Sequence, residues 1–260
     1  MQPATGLFGQ FEVLNALVLR EIKTRFGAHQ LGYLWALIEP GLWIGTFVAM
    51  FYMLDRTGPG GMETVSFIAT GLIPYMLFRE TTSRAVSAIG ANKGLLFYPQ
   101  IRPLDLVLAR VVLEFVTLLT VFAAIIFIAS MWQGTSPRVA DGLQFVIGFA
   151  AAAGLGGSLG LTLVGLSVFI PAIERLHGPV LRPLFWFSGI FYTANGLPPV
   201  ARDVMLYNPV LHVVEFVRSG WFTEYRSQHA SILYVCGWIV ALTFVGLLIE
   251  RAARRRLELA

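Results

Sequence analysis

Apolar stretches free of charge dominate the chain. Residues 142–173, 115–137 and 183–201 contain no Asp, Glu, Lys or Arg, and 227–249 carries only His229. A helix of about 20 such residues crosses the ~30 Å core of a bilayer. Backbone groups find no partners in lipid, so these runs must be helices or strands of a closed barrel. The ~10-residue alternation of barrel strands is missing. The pattern predicts an all-α polytopic membrane protein with six spans. These are 32–54, interrupted at Glu39-Pro40, then 64–78 with Gly71 and Pro74 inside it, 106–131, 142–170, 181–195 and 230–249.

Three further segments are too short or too charged to span. In 7–26, Phe11, Leu14, Leu17, Val18 and Ile22 recur at helical spacing, with Glu21, Lys23 and Arg25 off the stripe. This predicts a helix lying on the cytoplasmic membrane face. In 91–103, Leu95, Leu96, Phe97 and Tyr98 are too apolar for a loop in water. They point to a docking surface, in preference to packing back on the chain's own helices. In 196–225, Gly196, Pro198 and Pro199 end the fifth span. Asn208-Pro209 then starts a helix with Val210, Leu211, Val213, Val214, Phe216 and Val217. A re-entrant or interfacial helix on the outer side fits it.

Composition agrees with this reading. Charged residues make up 13% of the 260, against about 25% in a soluble domain. The length suits one membrane domain. Positive charge sets the orientation. Arg20, Lys23, Arg25, Arg79, Arg84, Lys93, Arg102, Arg110, Arg175, Arg182, Arg251, Arg254, Arg255 and Arg256 fall on one side. Only Arg56, Arg138, Arg202, Arg218 and Arg226 fall on the other. Both termini are therefore expected in the cytoplasm. The net charge of +4 reflects topology rather than a nucleic-acid partner. The lone Cys236 excludes an intrachain disulfide. The first 15 residues lack a basic stretch followed by an apolar core, so no cleavable signal peptide is expected.

Candidate chemistry is sparse. Neither lysine, Lys23 or Lys93, stands in a phosphate-binding loop. The four histidines form no metal-ligand spacing. Gly156-Gly157-Ser158-Leu159-Gly160 matches the G-x-S-x-G of serine hydrolases, which raises an intramembrane serine protease using Ser158. That nucleophile needs a base in reach, and His212 and His229 fall near the outer side. The small residues are better read as a G-x-x-x-G helix contact. Glu39 and Glu114 sit within spans, where a charge must face protein or water. A proton-coupled transporter would use them, but Glu114 is expected to pair with Arg110 four residues earlier. A secondary transporter would also show an internal repeat. Aromatics crowd span one (Trp43, Phe47, Phe51) and span five (Phe185, Trp186, Phe191, Tyr192). Such faces stack on sugar rings or serve packing and lipid contact.

Several blocks carry a resemblance. These are Leu19-Arg20-Glu21-Ile22-Lys23-Thr24-Arg25-Phe26-Gly27 with Leu31-Gly32-Tyr33-Leu34-Trp35-Ala36-Leu37-Ile38-Glu39-Pro40, then Gly71-Leu72-Ile73-Pro74-Tyr75. Ala91-Asn92-Lys93-Gly94-Leu95-Leu96-Phe97-Tyr98 and Tyr207-Asn208-Pro209-Val210-Leu211-His212-Val213-Val214-Glu215 follow. In order and spacing they resemble ABC-2 type permeases that export capsular polysaccharide and O-antigen, nearest the capsule branch. The resemblance implies a homodimer of a six-span subunit in the bacterial inner membrane. Two copies of a separate ATPase subunit would bind ATP and Mg, so this chain needs no cofactor and is not itself an enzyme. It implies an interface helix at 7–26 and a coupling helix at 91–103, with Leu95, Phe97, Tyr98 and Pro99 as ATPase contacts. Re-entrant helices would lie at 196–225, and spans one and five would flank the path of a lipid-linked polysaccharide. It also implies a periplasmic co-polymerase and an outer-membrane channel as partners. Arg20, Lys23 and Arg25 lie where an anionic head group would arrive, although positive-inside topology alone accounts for their clustering. An ABC-2 permease for O-antigen, teichoic acid, a glycolipid or a drug is the alternative.

Overall fold

The computed structural model describes residues 7–26, 32–95, 101–134 and 138–257. Among them the helices are α1 (Leu7–Phe26), α2 (Gly32–Met53), α3 (Thr64–Val86), α4 (Ala88–Ala91), α5 (Pro103–Gln133), α6 (Gly142–Ser167), α7 (Ile173–Leu181), α8 (Leu184–Phe187), α9 (Pro199–Met205), α10 (Pro209–Trp221) and α11 (Ile232–Leu257), with no strand. Four described segments are long and apolar enough to cross a membrane: 34–53 in α2, α5, α6, and 232–253 in α11. Their outer faces stay apolar and exposed, as at Phe127 and Trp132 of α5 and Val240 and Phe244 of α11. In water such faces would aggregate; they suit lipid or a second chain.

The centre of the fold is α3, buried along most of its length by α2, α5, α6 and α10. It continues past the expected end at 78 to Val86 and carries Arg79, Glu80 and Arg84 on that extension. Two of its buried threonines are satisfied within the helix: Thr70 Oγ1 donates to Ser66 O at 2.7 Å and Thr82 Oγ1 to Phe78 O at 2.8 Å. Against α3 lies α6, whose small residues allow the two backbones to approach closely. A Cβ on Gly156 would sit 2.5 Å from Phe78 O, and one on Gly160 would sit 2.3 Å from Ala85 Cβ. Thr82 Oγ1 reaches across to Gly156 O at 3.1 Å. Gly160→Ala therefore overpacks a contact against Ala85 Cβ and the Thr82 backbone, neither of which can swing aside. It is expected to cost about 1–2 kcal/mol, read as a lower unfolding midpoint in detergent. An unchanged midpoint would show that α6 has room to shift.

Glu63 starts α3. Its carboxylate accepts from Val65 N at 2.8 Å, Ser66 N at 2.7 Å and Gln133 Nε2 at 3.0 Å. Burial alone would raise its pKa, but the donated hydrogen bonds outweigh burial and hold it below the usual range. A depressed folded pKa stabilises above the unfolded value of ~4.3, and that stabilisation is lost as pH falls through the folded pKa. Glu63→Gln should therefore cost about 1 kcal/mol at neutral pH. The variant should also lose the part of the acid sensitivity seen below about pH 5 that Glu63 supplies. Unfolding midpoints across that range check both.

Three expectations change. First, α2 runs unbroken through Pro40, which is buried while Glu39 is exposed. One missing N–H does not end a helix that neighbours support. Second, α1 is more than a surface float. Leu17 is core and Val13, Leu14 and Val18 pack on the same cluster with Ala85, Leu106 and Val107, while Phe11 is 76% exposed. Part of its polar face also turns inward. Arg25 Nη1 lies 2.5 Å from Glu114 Oε1, and Glu21 Oε1 lies 3.2 Å from Arg110 Nε. So Glu114 does not take Arg110 as its partner; its ion pairs are with Arg25 and with Arg84 Nε at 2.6 Å. Helical spacing offered the local pair, but α1 and α3 bring closer cations to the same carboxylate. Arg110 turns instead to Ser87 Oγ at 3.0 Å and Arg84 O.

Third, 181–195 is not a continuous helix. α7 and α8 are short, and the chain from Ser188 to Thr193 leaves helical geometry. Pro183 lies between them, and Gly189 adopts φ +74°, a conformation that side chains disfavour. The segment still runs antiparallel to α3: His177 Nε2 lies 3.3 Å from Ser83 Oγ, Tyr75 Oη 3.4 Å from Leu181 O, and a Cβ on Gly71 would lie 3.0 Å from Ile190 Cα. From Ser83 to Gly71 an α-helix advances about 18 Å, which the broken segment matches with few helical turns.

Candidate functional site

The aromatic residues singled out on spans one and five meet. Phe47 of α2 lies 4.7 Å edge-on from Phe191 and 5.9 Å from Phe185, by ring centroids. Trp43 stacks on Phe47 at 5.7 Å. Phe185 contacts Trp186 at 5.2 Å and Phe191 at 5.6 Å. Tyr75 of α3, absent from the sequence-based set, joins Phe185 at 5.4 Å. Tyr192 is tied in by its hydroxyl, which donates to Trp186 O at 3.1 Å. Phe51 stands apart, buried against Phe67. A cavity of about 520 Å³ opens among these rings, bounded by Trp43, Phe47, Leu72, Tyr75, Met76, Phe185 and Trp186. Two arginines complete its lining, Arg79 and Arg182.

The cationic candidates on α1 are placed elsewhere. Arg25 is engaged by Glu114, and Arg20 Nη1 donates to Asn92 Oδ1 at 2.7 Å. Lys23 is exposed. None of the three lines the aromatic cavity. Leu95 is half-buried against the cluster that seats α1. Phe97, Tyr98 and Pro99 lie outside the described residues.

One determinant escaped the sequence reading. Arg218 of α10 is fully buried. Its guanidinium donates to Gly189 O at 2.5 Å, Tyr192 O at 2.7 Å and Ile190 O at 2.8 Å. It lies 4.0 Å over the Phe67 ring and 3.7 Å from Glu215 Oε1. Glu215 in turn accepts from Ala194 N at 3.2 Å and from the Tyr225 hydroxyl. The carbonyls freed where the fifth segment unwinds are thus satisfied by one side chain, as a buried backbone requires. The only signal in the sequence was an arginine within an apolar run, one helical turn from a glutamate. This places α10, expected as a re-entrant or interfacial helix, in the core against α3 and α6.

Two broader findings fix the class of protein. The first is this helical architecture with apolar outer faces. The second is a match of the ABC-2 type transporter family model to residues 12–222. The chain belongs to the ABC-2 type transporter family. It is 33% identical over 249 residues to the polysialic acid transport protein KpsM of Escherichia coli, covering 95% of each chain. It is 28% identical over 253 residues to the capsule polysaccharide export inner-membrane protein BexB of Haemophilus influenzae, covering 96% of this chain and 94% of that one. It is 29% identical over 240 residues to the corresponding protein CtrC of Neisseria meningitidis, with 92% and 88% covered.

As an ABC-2 membrane protein the chain is a transport component, and the details around Ser158 agree with that. Its hydroxyl donates to Leu155 O at 3.0 Å within α6. Of the two histidines weighed as its base, His212 is committed at both ring nitrogens: Nε2 to Leu206 O at 2.8 Å, while Nδ1 accepts from Ser231 N at 3.1 Å. The neighbouring glycines serve helix contacts, Gly156 and Gly160 with α3 and Gly157 with Val111 of α5.

Proposed function

We propose that the chain is the transmembrane permease subunit of an ATP-driven exporter that moves lipid-linked capsular polysaccharide across the bacterial inner membrane. The observation that carries this reading is end-to-end similarity to capsule polysaccharide export proteins. The aromatic cavity supports it, because its aromatic and aliphatic faces offer the lipid of such a substrate an apolar surface. In this reading the permease has six spans: the four long apolar segments, the buried α3, and the broken 173–196 segment. Both termini face the cytoplasm. The permease works as a homodimer with two ATP-binding subunits, which hold the ATP and Mg. Residues 91–103 receive the push of the ATPase. α1 passes it on through Arg20–Asn92 and the Glu114 ion pairs. A periplasmic co-polymerase and an outer-membrane channel continue the route.

Co-expression with the ATP-binding subunit tests this. A two-plus-two complex is expected, and its ATPase rate should fall severalfold with Leu95→Ala, Phe97→Ala or Tyr98→Ala. Failure to bind any ATP-binding subunit would overturn the reading. Export of O-antigen or another glycolipid, with no capsule defect when the permease is deleted, would favour an ABC-2 permease of different substrate.

A further inference from the structure

The aromatic cavity has a polar end and an apolar end. Because 177–190 runs antiparallel to α3, Arg182 and Arg79 fall at the same level. His177 meets Ser83 on one side of that level, and Ile190 meets Gly71 on the other. One helical turn further along each element stand Phe185 and Trp186, and Tyr75 and Met76. No carboxylate lines the cavity. Arg79 gives Nε and Nη2 to Glu80 Oε1, at 3.2 and 2.7 Å. The Arg182 guanidinium makes no hydrogen bond or ion pair with another described residue. Trp43 and Trp186 are 46% and 61% exposed, so the cavity opens sideways on an apolar surface. A bare saccharide would need hydrogen-bonding groups along the wall. Beyond the arginines the wall offers only indole N–H groups and the Tyr75 hydroxyl, which is turned to Leu181 O.

The geometry points to a receiving site for the phosphate of an anionic lipid, with Arg182 and Arg79 holding the phosphate and the first tail carbons lying among Trp43, Phe47, Phe185 and Trp186. This deepens the exporter reading, since it names the head-group contact of the same cavity, and moves that role from Arg20, Lys23 and Arg25 to another pair. The planar guanidinium fork matches phosphate oxygens, and apolar walls lower the local dielectric and strengthen the contact.

The test uses the full chain in phosphatidylcholine nanodiscs and reads quenching of tryptophan fluorescence by lipids with brominated tails. The signal from Trp43 and Trp186 is isolated by difference against Trp43→Phe/Trp186→Phe. Brominated phosphatidylglycerol is expected to quench that component at a mole fraction many times lower than brominated phosphatidylcholine. Arg182→Gln and Arg79→Gln should each raise the half-quenching fraction about fivefold. Arg182→Lys should recover part of the loss, and Arg175→Gln, an exposed charge outside the cavity, should change nothing. Equal quenching by the two lipids would overturn the site, and this comparison needs no variant. So would an effect of Arg175→Gln as large as that of Arg182→Gln, which would mark general surface attraction. Displacement by excess inorganic phosphate would replace the lipid with a free anion. None of these readouts depends on ATPase binding or export, so the site and the exporter reading fail separately.

Discussion

Replacing Arg218 with Met is expected to cost the fold about 3–5 kcal/mol. The side chain is fully buried, so no solvent is at hand to take over its work. Its loss strands the Glu215 carboxylate and leaves the carbonyls of Gly189, Ile190 and Tyr192 without their donor. Removing both charged partners, in Arg218→Met/Glu215→Leu, should recover part of the loss. Arg218→Lys keeps the charge, but a single ammonium lacks the planar fork that reaches several carbonyls at once. Midpoints of thermal unfolding for these variants check the order: native, then lysine or double variant, then Arg218→Met lowest. A native midpoint for Arg218→Met would mean that water or another donor serves the unwound segment.

Glu114→Ala is expected to loosen α1 by about 2 kcal/mol. The carboxylate is 1% exposed and faces Arg25 from α1 and Arg84 from α3. Breaking a buried pair costs more than that when the remaining charge is trapped. Here the arginines keep 19% and 34% of their side-chain surface exposed, so they can turn to water and the cost is discounted. Hydrogen exchange should speed up in 10–25 while α6 and α10 keep their protection. Glu114→Gln retains one acceptor and should fall between. Uniform loss of protection across the chain would mean that Glu114 supports the whole bundle rather than the seat of α1.

Local rules gave way where a tertiary competitor met them. The Arg110 to Glu114 spacing satisfied the helical pairing rule, yet two arginines from other helices took the carboxylate. The α1 stripe correctly marked Leu17 as apolar and inward. It could not show that Glu21 and Arg25 would also turn inward, because their partners lie 89 residues away in sequence. The aromatic clusters of spans one and five were visible as composition. That Trp43 and Phe47 share one cavity with Phe185 and Trp186 follows from the antiparallel path of 177–190 beside α3. Arg79, Arg182 and Tyr75 join that cavity without any distinguishing mark in the sequence.

By itself the sequence determined the class of the protein. Charge-free runs of this length have no stable home in water, and lipid forces their backbones into helices, so the long apolar helices follow from composition and spacing. The order of short blocks also carried the family resemblance. Tertiary structure alone decided the path of the fifth segment. Prolines and Gly189 forbid a regular helix there, and an unwound backbone survives in the core only if its carbonyls find donors. Arg218 supplies them from α10, while Gly71 leaves the space. A single buried guanidinium can do this only after α3, α6 and α10 have packed, and no local pattern in the chain encodes that meeting.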